Sequence, residues 1–66
     1  MTPELARSNA EAWTTMEAAK RAEVLKIAHL NVRSAVMIAL EIDRIYGPKA
    51  GAQRLREFLR AVAAPA

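Results

Sequence analysis

Catalysis needs a nucleophile, an acid–base pair or metal ligands that converge at workable spacing. This chain has no Cys and a single histidine, His29. Its Ser and Thr residues share that one imidazole, and no spacing points to a triad. A carboxylate-bridged metal bundle would need Glu-x-x-His, but the residue three before His29 is Lys26. Gly47-Pro48-Lys49-Ala50-Gly51 looks like a phosphate loop and fails as one. Lys49 lies between the glycines instead of after them, and Pro48 has no N–H to offer a phosphate. The expectation is a protein that is not an enzyme and holds no cofactor or metal.

What stands out is charge. Up to Gly47, six basic residues balance six acidic ones; from Pro48 on, Lys49, Arg54, Arg56 and Arg60 face Glu57 alone. Lys49, Gln53, Arg56 and Arg60 recur at helical spacing, away from Leu55, Phe58, Leu59 and Val62. Such a row can steer an acidic protein or the phosphates of a nucleic acid to the surface. A helix-turn-helix reading fails at two points. Four residues before the turn glycine stands Asp43 instead of a small residue, and the second helix opens on Pro48, Ala50, Gly51 and Ala52, which cannot read bases. The row is therefore assigned to partner binding, with an acidic protein preferred over nucleic acid. A membrane-surface anchor fits less well, because the apolar side of that helix is needed in the core.

The elements that carry these residues are helical. The chain is 53% apolar but only 5% aromatic, rich in Ala, and has two Gly and three Pro placed toward its ends. That is an all-α composition without strand signals. Thr2-Pro3-Glu4 is a good helix start. From there to Tyr46 neither Gly nor Pro intervenes. The preferred reading is one long helix, with break points at Thr14-Thr15-Met16-Glu17, a capping-box pattern, and at residues 29–31, where Asn31 can cap. Tyr46-Gly47-Pro48 closes the long helix. A short one follows from about Lys49 to Ala63, leaving residues 64–66 as a frayed tail. Gly51 inside it reads equally as close backbone approach or as a frayed first turn.

Helical phasing puts Leu5, Trp13, Met16, Val24, Ile27, Leu30, Ile38, Ile42 and Ile45 on one core stripe. A second stripe, including Leu25, Ala28, Val32, Ala35 and Ala39, lies beside it. One short helix cannot cover both. Either the N-terminal segment folds back after a break near Thr14, or a second copy docks. The sequence reading takes the second route: a homodimer through Leu25, Ala28, Val32, Ala35 and Ala39, forming a helical bundle. His29, near that stripe, is read as structural, with a pH-sensitive pairing across the dimer axis as the sharper alternative.

At 66 residues the chain is a single small domain, burying only about 60% of the surface its unfolded form exposes. Without disulfides or metal, association is the remaining stabiliser. No stretch is long enough to span a membrane: the charge-free run Ser34 to Leu40 falls far short of ~20 residues. No targeting signal is evident, and a cytoplasmic location is expected. The function expected is that of a small regulatory adaptor or inhibitor that binds a larger protein.

Overall fold

The structure is a computed structural model that describes residues 1–64. It is all-helical: α1 (Pro3–Trp13), α2 (Ala18–Leu30), α3 (Val32–Tyr46), a π-turn (Gly47–Gly51) and α4 (Ala52–Ala63). The preferred single long helix is thus corrected; both break points are used, and the N-terminal part folds back.

Each break has a local cause. α1 starts where expected: the Leu5 N–H donates to Thr2 Oγ1 at 3.1 Å, and Pro3 fills the first turn. It ends because two threonine hydroxyls take up its last carbonyls. Thr14 Oγ1 donates to Glu11 O at 2.8 Å and Thr15 Oγ1 to Ala12 O at 2.9 Å. Met16 then adopts φ 69° and turns the chain. The capping box is not formed. Thr14 closes α1 instead of opening α2, and Glu17 makes no side-chain cap. At Asn31 the backbone is extended (φ −161°, ψ 157°), while its Oδ1 accepts the Ser34 N–H at 2.8 Å. One residue thus ends α2 and caps α3.

The core gathers Ala10, Trp13, Val24, Ala28, Ile38, Ile42 and Phe58. Trp13 meets Phe58 edge-on, with centroids 5.3 Å apart and an 80° interplanar angle. In α1 the buried face is Ala6, Asn9, Ala10 and Trp13, whereas Leu5 and Met16, expected in the stripe, are 48% and 81% exposed. Small residues let α1 sit close on the bundle, and the buried Asn9 is satisfied by donating from Nδ2 to Leu5 O at 2.8 Å. The Cα radius of gyration is 10.5 Å, against about 10.8 Å expected for a compact chain of this length. A monomer therefore closes most of its own core, with α1 covering one of the two apolar sides.

Gly47 has φ 76° and ψ −176°, a backbone region open essentially to glycine alone. Gly51 is buried, and a Cβ there would lie 3.3 Å from Asp43 O and 3.4 Å from both Asp43 Cα and Ile42 O. Close approach, not a frayed turn, explains this glycine. Ala64 is exposed at the end of α4; the rest of the expected frayed tail, residues 65 and 66, lies outside the described residues.

Two outcomes are expected in urea denaturation. Gly51→Ala should fail to deliver the ~1 kcal/mol that helix propensity alone predicts, because the added methyl meets backbone, and Gly51→Val should destabilise. Asn31→Ala should cost about 1 kcal/mol through loss of the α3 cap; an unchanged midpoint would mean that the cap does not hold the break.

Candidate interaction face

Gly51 draws the start of α4 onto the end of α3. The two helices run antiparallel from that point and leave a groove between them. Val32, Ala35, Val36, Ala39 and Leu40 of α3 and Leu55 and Leu59 of α4 line it, with Asp43 the one charged residue; its volume is about 430 Å³. The lining is open to solvent where it matters: Val32 is 78% exposed, Leu40 65%, Val36 50% and Leu59 49%. A small protein has little reason to leave so many large apolar side chains together unless they meet something.

Alongside runs the basic row. Lys49, Gln53, Arg56 and Arg60 are all exposed. None of the three cations pairs with a carboxylate among the described residues. Leu59 lies between the groove and this row on the α4 surface, so apolar and cationic surface are continuous. Arg54 belongs elsewhere: it is half-buried and stacks on the Tyr46 ring at 4.4 Å. Tyr46 in turn is hydrogen-bonded to Thr14, hydroxyl to hydroxyl, which fixes the end of α1 to the end of α3.

The residues expected at a dimer interface divide. Val32, Ala35 and Ala39 line the groove. Ala28 is only 3% exposed, inside the chain's own core, and has no surface left for a second copy. Leu25 is half-buried and packs against that core. The reason is phase. A face traced from Leu25 to Ala39 assumes about 100° per residue throughout, and the extended Asn31 resets the rotation between α2 and α3. Val36 and Leu40, which the sequence reading assigned to no face, follow Val32 at i+4 and i+8 within α3 and line the same groove. Leu59 was read as buried, yet only Phe58 of the α4 stripe is fully so; Leu55 and Val62 are half-buried.

His29 donates from Nε2 to Val62 O at 3.1 Å. Both the matching neutral tautomer and the imidazolium can make this bond. The ring ties the end of α2 to the end of α4. A second depression of about 390 Å³ lies beside Thr14, Met16, Arg21, Ala50, Gln53, Arg54 and Glu57. There Arg21 is held by three contacts: Nε donates to Trp13 O at 2.9 Å, the guanidinium lies 4.7 Å from the Trp13 ring centroid, and it pairs with Glu57 at 3.7 Å. These are contacts between helices, and they account for the arginine. Among the described residues no three His, Cys, Asp or Glu side chains gather as a metal site would require, and no helix is long and apolar enough to cross a membrane.

No known family model, curated protein or solved structure matches this chain. Its surface must therefore be read from its own chemistry.

That reading separates groove from core. Leu40→Ser with Leu59→Ser should shift the free energy of unfolding by about 0.5 kcal/mol or less per site, as surface changes do, while reducing the binding of an apolar dye. Phe58→Ala should cost about 3–5 kcal/mol. Equal destabilisation by both would show the groove residues to be structural.

Proposed function

We propose that this chain is a small non-catalytic interaction protein, a regulatory adaptor or inhibitor that acts by seating its α3/α4 face on another protein. The observation that carries the reading is an open apolar groove on the α3/α4 side that also bears an unpaired cationic row. Affinity would come from Val32, Val36, Leu40 and Leu59 leaving water. Lys49, Arg56 and Arg60, with Gln53 among them, would favour a partner with acidic residues flanking an apolar strip and would speed encounter. Self-association would use the same face, since Val32, Val36, Leu40 and Leu59 leave their largest contiguous apolar lining there.

The rival reading is nucleic-acid binding by the same basic row. Nothing on α4 offers base-edge recognition beyond Gln53 and the arginines, so such binding would be phosphate-led and strongly salt-dependent. The groove has no part in that scheme, which is why the protein partner is preferred.

Capture from a nuclease-treated lysate separates the two. A protein partner should be retained by the wild type and lost by Leu40→Glu with Leu59→Glu. Arg56→Glu with Arg60→Glu should slow association by about tenfold at low salt and change dissociation little. Capture that vanishes with nuclease, and is indifferent to the leucine variants, would overturn the proposal in favour of nucleic acid.

A further inference from the structure

We infer that the occupant of the groove is a second copy of this chain, seated so that α3 of each copy lies along α4 of the other and Asp43 of each copy falls between Lys49 and Arg56 of the other. This rests on the α3/α4 face being the docking surface, and it names what docks there. Charge complementarity selects the occupant. A partner for this face needs an apolar ridge with an acid beside it, to meet a leucine-lined groove edged by cations. The face supplies that pattern itself. Asp43 is exposed, lines the apolar groove, and has no ion-pair partner among the described residues; Lys49 and Arg56 are likewise exposed and unpaired.

Geometry selects between two symmetric seatings. Gly51 sits against the Asp43 backbone, where an added Cβ would lie 3.3 Å from the Asp43 carbonyl oxygen, so the first residues of α4, Ala52 and Gln53, follow at the level of Asp43. Lys49 and Arg56 lie about one turn to either side of Gln53. A two-fold axis parallel to the helices exchanges α3 for α4 and preserves these levels. Asp43 then meets the Lys49–Arg56 stretch of the other copy, and Val36 and Leu40 lie along Leu59. An axis across the helices would instead set α3 on α3, antiparallel. Asp43 would then lie level with Arg33 of the other copy alone, and Arg44 is already paired with Glu41 at 3.6 Å. The first arrangement sets Asp43 against two cations that pair with no carboxylate among the described residues. Because a two-fold interface is isologous, the favourable pairing occurs twice. A stable interface takes ~800 Å² from each partner, about a sixth of the 4620 Å² this chain exposes, so the α3/α4 side would be covered as a whole. An acidic larger protein would then compete with the second copy for one surface.

The test is a charge exchange followed by sedimentation equilibrium of the full chain at micromolar concentration and low salt. The wild type should be dimeric. Asp43→Lys alone, and Lys49→Glu with Arg56→Glu alone, should each weaken self-association by about tenfold or more, and an equimolar mixture of the two should restore it. Circular dichroism melts accompany each variant. If a reversal damages the fold, Asp43→Asn and Arg56→Gln replace it, and weakening by either is still expected. A wild type that stays monomeric into the millimolar range would overturn the second copy as occupant, leaving capture of a different protein by the groove to be decided by the leucine variants. A dimer unaffected by every charge variant would overturn the α3-on-α4 seating while leaving self-association in place.

Discussion

Trp13 is the point at which this small bundle closes. It stands at the last residue of α1, meets Phe58 of α4 edge-on, and carries Arg21 of α2 over its face. The same arginine also bonds the Trp13 carbonyl, so backbone and ring of one residue hold α2 in place. Tyr46 makes a second such junction, bonded to Thr14 at the end of α1 and stacked under Arg54 of α4, but it is only half-buried. The arrangement has a cost: the Trp13 Nε1–H is buried without an acceptor, and such a group loses its hydrogen bonds to water without replacement. Ring burial and two aromatic contacts outweigh that loss.

With Trp13 seated, α1 covers one side of α3 with small residues. Ala6 and Ala10 are wholly buried, so the helix comes near at little loss of side-chain entropy. The side of α3 that α1 covers is therefore closed within the chain. The opposite side is closed only where α4 reaches it, and α4 is short and anchored at one end by the Gly51 contact. Its Phe58 turns inward, while Leu59 turns out beside Arg56 and Arg60. The groove follows from these two packings: one helix folded back completely, another laid along a single edge.

Charge and apolar surface then become one feature. Apolar area gives affinity without direction, and exposed cations give direction with little affinity. Placed side by side they supply the two properties that the proposed docking requires. Asp43 adds an acid of the opposite sign within the same surface.

Much of this was legible in the residues. Composition determined the all-helical class, Thr2-Pro3 the start of α1, Gly47-Pro48 the end of α3, and the spacing of Gln53, Arg56 and Arg60 the exposed row of α4, because each depends only on local backbone chemistry or on phase within one helix; Lys49 joins that row from the preceding π-turn. Thr14 to Glu17 and Asn31 were visible as break points. Whether either would break was not, since α1 turns back only if Trp13 and the small residues behind it find a surface to cover. That choice belongs to the tertiary structure, and everything downstream of it does too. The phase reset at Asn31 put Ala28 in the core while Val32, on the same expected face, is exposed. Gly51 became a contact instead of a weak turn because α3 lies beneath it. A periodic pattern fixes faces only while the helix continues; once the backbone extends for a single residue, packing decides which face is inside.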